Sequence, residues 1–149
     1  MGATIALKAA AIDPRIKALV LEAPYRDLKS PVAAVLRRLR IPLSRAFARL
    51  ILIRARALAG VALDHPLPID LAAQVHARVL ILHGSNDLIA PITDARGLAN
   101  AFPVPAQILE VAGAGHANVV GIGGDGLMDR VGEFLDEAAS IVRPTPLSS

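Results

Sequence analysis

The sequence predicts an α/β fold, with a parallel sheet of about three strands covered by helices. Three short apolar runs predict buried strands at residues 16–21, 79–82 and 107–111. The segments between these runs space their apolar residues as helices do. Strands that alternate with helices pair in parallel, because each helix returns the chain to the edge of the sheet where it started.

The chain opens with an alanine-rich segment, residues 2–12, which predicts a short buried helix. Asp13-Pro14 ends this helix, because a proline disfavours the helical conformation in the residue before it. The apolar run 16–21 then predicts the first strand. Residues 24–76 form an insertion before the second strand, and this insertion is long enough to be a lid.

The insertion is basic and predicts two helices, with Pro31 and Pro42 in their first turns. No acidic residue lies between Asp27 and Asp64, whereas seven arginines do: Arg37, Arg38, Arg40, Arg45, Arg49, Arg54 and Arg56. The second helix is amphipathic. Its basic face holds Arg45, Arg49 and Arg56, and its apolar face holds Phe47, Leu50, Ile51 and Leu58. Arg54 falls inside the apolar face, and we expect its side chain to reach back to water.

The insertion ends with a linker over residues 65–68, and Asp70 is a candidate cap for a short turn at 72–75. A helix is expected from Pro91 to about Ala101. A closing helix is expected over 126–141. Its apolar residues at helical spacing are Val131, Phe134, Leu135 and Ala138. Residues 142–149 predict a frayed tail. The whole chain therefore predicts a single domain of 149 residues.

Composition excludes several kinds of chemistry. The chain has no cysteine, which rules out disulfides, thiolate catalysis and cysteine-ligated zinc. No cluster of His, Asp and Glu has the spacing of metal ligands, so we predict no metal and no cofactor. The net charge is only +3 and aromatic residues make up 3%, which argues against nucleic-acid binding. No signal peptide and no apolar run long enough to span a bilayer are visible, and we predict a cytoplasmic protein.

An acid and a histidine follow the second and third strands. Asp87 ends the sequence His-Gly-Ser-Asn-Asp, and His116 ends Gly-Ala-Gly-His. An aspartate after a strand is usually a turn former or helix cap, and a histidine in a glycine-rich loop usually has no special role. Together, an acid and then a histidine, each just after a strand, have the chain order and the positions of the last two members of a Ser…Asp…His triad.

Other ionisable residues are weaker candidates for the same roles. Asp94 is predicted within a helix, and Asp125 follows the histidine in the chain. His83 is interpreted as a packing residue at the end of its strand. His65 and His76 lie in the insertion and are expected to be solvated.

Three segments resemble the α/β-hydrolase superfamily, in particular its serine-aminopeptidase-like and prolyl-oligopeptidase-like bacterial members. Residues 77–91 resemble the strand and loop that hold the family's acid, and 113–118 resemble its histidine loop. Met1-Gly2-Ala3 resembles the end of the G-x-S-x-G nucleophile elbow. The resemblance covers residues 1 to about 140. It implies a partial α/β-hydrolase fold that cleaves an ester or amide bond, with Asp87 as the triad acid and His116 as the base.

The nucleophile that this resemblance requires is missing from the sequence. No G-x-S-x-G occurs, and none of the six serines lies between a predicted strand and helix; they are Ser30, Ser44, Ser85, Ser140, Ser148 and Ser149. The resemblance places one oxyanion-hole donor at the backbone nitrogen of Met1, here a terminal amine. We therefore expect an inactive, truncated C-terminal portion of a serine hydrolase, whose full-length parent acts on a small-molecule or peptide substrate.

Two further expectations concern partners. An apolar first strand without an upstream neighbour presents an open sheet edge, which predicts self-association. The alternative function is that of a non-catalytic interaction protein, whose arginine-rich amphipathic helix binds an acidic partner or an anionic membrane surface.

Overall fold

The structure is a computed structural model that describes residues 2–60 and 66–142. Its elements follow one another as α1 (Gly2–Ile12), β1 (Ala18–Glu22), α2 (Lys29–Arg38), α3 (Ser44–Ala59), α4 (Pro68–Ala72), β2 (Arg78–Gly84), α5 (Ile92–Ala99), β3 (Gln107–Val111) and α6 (Val119–Val142). The expected frayed tail lies outside the described residues, except for Val142, which ends α6.

The three strands form one parallel sheet in the order β1-β2-β3, which confirms the predicted sheet. Val20 pairs with Leu80, and Leu80 pairs in turn with Gln107. β2 runs two residues further than predicted because Gly84 still pairs with Val111. This extension matters for the site, since it brings the residues after β2 beside those after β3.

Helices cover both faces of the sheet, so β2 is almost wholly buried. On one face α1, α4 and α5 pack on Leu21 and Ile81, with Leu7 and Leu98 at the centre of the cluster. On the other face α6 packs on alternate residues of β2. The inward residues of α6 include Val131, Phe134 and Ala138, as predicted. The prediction for Leu135 is wrong, because 43% of this residue is exposed.

Helices α2 and α3 pack on each other through a small cluster of Ala33, Leu36 and Ala48. The apolar face predicted for α3 exists, but residues 2–60 and 66–142 leave much of it exposed. Its members are 44–89% exposed: Phe47, Leu50, Ile51 and Leu58. Arg54 is exposed as well, so its side chain has no apolar layer to cross.

Three boundaries differ from the predictions for local reasons. Pro42 precedes α3, because Leu43 has a positive φ of 53° and the helix begins only at Ser44. Pro68, predicted in a linker, starts α4, and Asp70 lies in the first turn of this helix without capping it. The closing helix begins at Val119, seven residues before the predicted start, and is kinked at Gly124 (φ 56°, ψ −155°).

Candidate functional site

Asp87 is held rigidly in the turn after β2. Its backbone N–H donates to the carbonyl of Gly84 at 3.2 Å. The carboxylate is fully buried, and its Oδ1 accepts the backbone N–H groups of Ile89 and Ala90, each at 2.8 Å. Two such bonds to one oxygen fix the orientation of the carboxylate. The other oxygen, Oδ2, is thereby presented to the loop that follows β3.

His116 meets that second oxygen. Its Nδ1 lies 2.8 Å from Asp87 Oδ2, and its side chain is 31% exposed. An ionised carboxylate only accepts hydrogen bonds, so we assign the proton to Nδ1. The neutral ring then keeps a lone pair on Nε2, the arrangement that a general base requires. The structure thus brings the two residues singled out in the sequence into direct contact.

Several backbone bonds join the two loops that carry this pair. The N–H of Asn86 donates to the Ala114 carbonyl at 2.8 Å, and the N–H of Gly113 donates to Ser85 Oγ at 2.9 Å. Gly113 has a φ of 77°, which favours glycine. The Ser85 hydroxyl therefore braces the loops, a role that its place in the sequence did not reveal.

His83 is buried next to the Asp87 carboxylate. Its ring is fully buried, and its Nε2 lies 2.9 Å from the Ala90 carbonyl and 3.7 Å from Asp87 Oδ2. Ala90 is also one of the two N–H donors to Asp87. The prediction of a packing residue captured the burial of His83 but missed its hydrogen bond. The acceptor of this bond is a backbone carbonyl, so no residue type in the sequence marked it.

We expect His83→Leu to destabilise the fold by about 1–3 kcal/mol, because the buried Ala90 carbonyl loses its donor. The same change should loosen Asp87 and weaken its bond to His116. His83→Gln, whose amide can donate in place of Nε2–H, should restore much of both. Urea unfolding measures the stability, and ¹⁵N NMR of the His116 ring measures the Nδ1–H tautomer. Equal behaviour of the Leu and Gln variants in both measurements would contradict this role.

A cavity of about 480 Å³ opens beside His116. Gly2, Ala3 and Ala6 of α1 line it, as do Val20 to Glu22 of β1 and Ala23, which follows the strand. Tyr25 and Ala117 complete the lining. None of the described residues that line it is a serine. The cavity is therefore lined by the start of α1, the edge strand β1 and a histidine that a carboxylate orients.

The other candidates lie elsewhere or outside the described residues. Asp94 is in α5 and lines a different cavity. Burial raises the pKa of Asp94, and the charge of Asp27 raises it further, whereas Ser30 and Arg26 lower it. Asp125 is exposed in α6, and His76 is exposed after α4. Met1, proposed as an oxyanion-hole donor, and His65 lie outside the described residues.

The serines of the described chain are not placed as nucleophiles. Ser30 and Ser44 lie in the first turns of α2 and α3. Ser140 Oγ donates to the Glu137 carbonyl within α6. In the part of the chain that the structure describes, no group of three or more His, Asp or Glu side chains could hold a metal ion. No helix in these same residues is sufficiently long and apolar to cross a bilayer.

Solved structures with the same fold include esterases and a lipase. The Pyrococcus furiosus esterase Pf2001 matches with a TM-score of 0.66 at 16% identity, over 93% of this chain and 51% of the esterase. The esterase domain of a Rhodothermus marinus protein matches with a TM-score of 0.59 at 21% identity, over 93% and 55%. The Paleococcus ferrophilus monoacylglycerol lipase matches with a TM-score of 0.57 at 20% identity, over 91% and 65%.

The chain has a partial α/β-hydrolase fold. The likeness to these structures is one of fold, and the chain spans between 51% and 65% of their lengths. In sequence, the α/β-hydrolase-like chain is 36% identical over 77 residues to the uncharacterized proteins Rv2307c and MT2364 of Mycobacterium tuberculosis. That match covers 52% of this chain and 27% of each relative. No family model matches the chain.

Proposed function

We propose that this chain carries the acid and the base of a serine hydrolase that cleaves an ester or amide bond. The observation that supports this most directly is the 2.8 Å contact between His116 Nδ1 and Asp87 Oδ2, beside a cavity that His116 lines. The carboxylate is buried, its orientation is held by two backbone N–H groups, and the histidine is partly exposed. A proton-transfer group needs this combination of fixed orientation and access.

In the proposed reaction each residue has one role. His116 accepts the proton of the serine hydroxyl at Nε2 while the hydroxyl oxygen attacks the carbonyl carbon of the substrate. Asp87 remains ionised and stabilises the imidazolium through the Nδ1–H bond. His116 then returns the proton to the leaving alcohol or amine, which leaves an acyl group on the serine. A water molecule then attacks the acyl group while His116 accepts its proton. His116 passes this proton to the serine oxygen, and the carboxylic acid is released.

We propose further that the serine precedes residue 1 and that α1 is the helix behind it. This is supported by the cavity, because Gly2 and Ala3 at the start of α1 line it together with His116. In the α/β-hydrolase fold the nucleophile lies on a sharp turn between a strand and a helix. The backbone nitrogen of Met1 would then be one donor of the oxyanion hole, and this chain alone would be inactive.

Labelling with a fluorophosphonate tests this proposal. A protein extended upstream in frame, so that it includes a Gly-x-Ser before Met1, should be labelled and should hydrolyse p-nitrophenyl esters. The chain of 149 residues should not be labelled. His116→Ala in the extended protein should abolish labelling, whereas His76→Ala, which changes an exposed histidine remote in sequence, should not. Labelling of the short chain, or full labelling of the His116→Ala variant, would disprove the assignment.

Finer features of the hydrolase stay predictions. These are the serine-aminopeptidase-like or prolyl-oligopeptidase-like subfamily, a small-molecule or peptide substrate, a cytoplasmic location and the role of 24–76 as a lid. Self-association through the edge of β1 is likewise a prediction. β1 is an edge strand of the described sheet, and its pairing groups on one side have no strand opposite them.

The alternative function, binding to an anionic membrane surface, is favoured by one observation. The exposed apolar face of α3 lies beside arginines on a segment without acidic residues. Co-sedimentation with vesicles containing phosphatidylglycerol, lost at high salt, would support this function. The absence of binding at low salt would exclude it.

A further inference from the structure

A second cavity, of about 440 Å³, lies between the α2–α3 pair and the start of α5. Arg37 of α2 and Arg45 and Arg49 of α3 line it, together with Lys29 at the first position of α2. Arg45 and Arg49 are four residues apart and therefore share one face of α3. The packing of Ala33 against Ala48 sets this face toward α2. Three arginines and one lysine, from two helices, thus line one cavity.

Within residues 2–60 and 66–142, no carboxylate lies within ion-pair distance of these four cations. None of them forms an ion pair there, although Arg15, Arg78, Arg96 and Arg130 do. The neighbouring arginines Arg38, Arg54 and Arg56 belong to the same two helices but do not line the cavity. The basic character of the cavity therefore comes from particular positions and not only from the general charge of the segment.

Two carboxylates also line the cavity. Asp27 Oδ1 accepts the backbone N–H of Ser30 at 2.9 Å, so this oxygen is used at the start of α2. Asp94 Oδ2 is buried and has no hydrogen-bond partner among the described residues. Burial raises the pKa of Asp94. Four cations thus face two carboxylates, and a positive excess remains.

We propose that this cavity binds the phosphate group of a small molecule. Guanidinium groups bind phosphate oxygens in pairs of parallel hydrogen bonds, and a phosphate has enough oxygens to engage several of them at once. A single carboxylate has only two oxygens and would leave part of this set unused. A volume of about 440 Å³ is also within the usual size of ligand pockets.

The phosphate site adjoins the cavity beside His116. Tyr25 lines the His116 cavity, and Asp27, two residues later, lines the phosphate cavity. Two residues span at most about 7 Å. Pro91, which also lines the phosphate cavity, is four residues after Asp87. Both sites are therefore at the same end of the sheet, but phosphate binding does not depend on a catalytic role for His116.

This site is tested by titrating the 149-residue chain with inorganic phosphate. Binding is measured by calorimetry and by NMR of the arginine Nε–H groups. Saturable binding should shift the signals of Arg37, Arg45 and Arg49. The triple variant R37Q/R45Q/R49Q should bind phosphate about tenfold more weakly or worse. The charge-matched variant R38Q/R54Q/R56Q should bind as the unchanged chain does. Asp94→Asn should tighten binding about threefold, because it removes a negative charge from the cavity.

Two comparisons distinguish a phosphate site from a basic surface that attracts any anion. Equal weakening in both triple variants, or no saturable binding of phosphate, would overturn the proposal. Acetate should bind more weakly than phosphate, and equal affinity would also count against it. Binding to phosphatidylglycerol vesicles without binding of inorganic phosphate would assign the arginines to a lipid surface instead. If the triple variant fails to fold by circular dichroism, the opposite effect expected for Asp94→Asn still decides the question.

Discussion

Asp87→Asn should lower kcat about 10⁴-fold in a protein extended to include the proposed serine. Asparagine can still accept the N–H groups of Ile89 and Ala90 with its amide oxygen. Its NH₂ group would then face His116 and could only donate to Nδ1. The proton would move to Nε2, the nitrogen that must accept the serine proton, and the imidazolium would lose its stabilising charge.

The same variant can be checked in the chain of 149 residues, which needs no activity. ¹⁵N NMR should show the Nδ1–H tautomer of His116 in the unchanged chain and the Nε2–H tautomer in Asp87→Asn. Asp125→Asn is the matched control, since this aspartate is exposed in α6 and was a rival for the acid in the sequence. It should alter neither kcat nor the tautomer. A loss of less than tenfold in Asp87→Asn would mean that this carboxylate only shapes the turn.

The parts of the fold that could be predicted are those with local signals. Apolar runs of four to six residues marked all three strands, and the alternation of strands with helices implied parallel pairing. The contact between Asp87 and His116 was also predictable. Residues that follow neighbouring parallel strands meet at one edge of the sheet, whatever lies between them in the chain.

What could not be predicted depends on groups distant in sequence. The amphipathic pattern of α3 gave the correct face but not its exposure, because exposure depends on which other elements reach it. The bond from His83 to Ala90 and the bond from Gly113 to Ser85 involve backbone groups, which leave no trace in residue type. The early start of α6 was missed because its first turns contain four glycines, which have low helix propensity.

Of the glycine-to-alanine changes in the described residues, Gly84→Ala should be the most damaging. A Cβ atom at this position would collide with the Ala114 carbonyl group and come within 2.8 Å of the Gly115 carbonyl oxygen. These atoms belong to backbone, which cannot rotate away as a side chain does. The Ala114 carbonyl also accepts the N–H of Asn86, so the two loops must separate to make room.

We expect this substitution to cost about 3 kcal/mol, the upper part of the range for overpacking. Separation of the loops should also lengthen the contact between His116 and Asp87, which would appear as loss of the Nδ1–H tautomer in ¹⁵N NMR. Gly132→Ala is the matched control, because a Cβ there meets nothing within 4 Å and the residue lies inside α6. That change should instead stabilise the chain by about 0.5–1 kcal/mol in urea unfolding. If Gly84→Ala proved as stable as Gly132→Ala, the close approach of the two loops, and with it the geometry of the proposed acid and base, would be wrong.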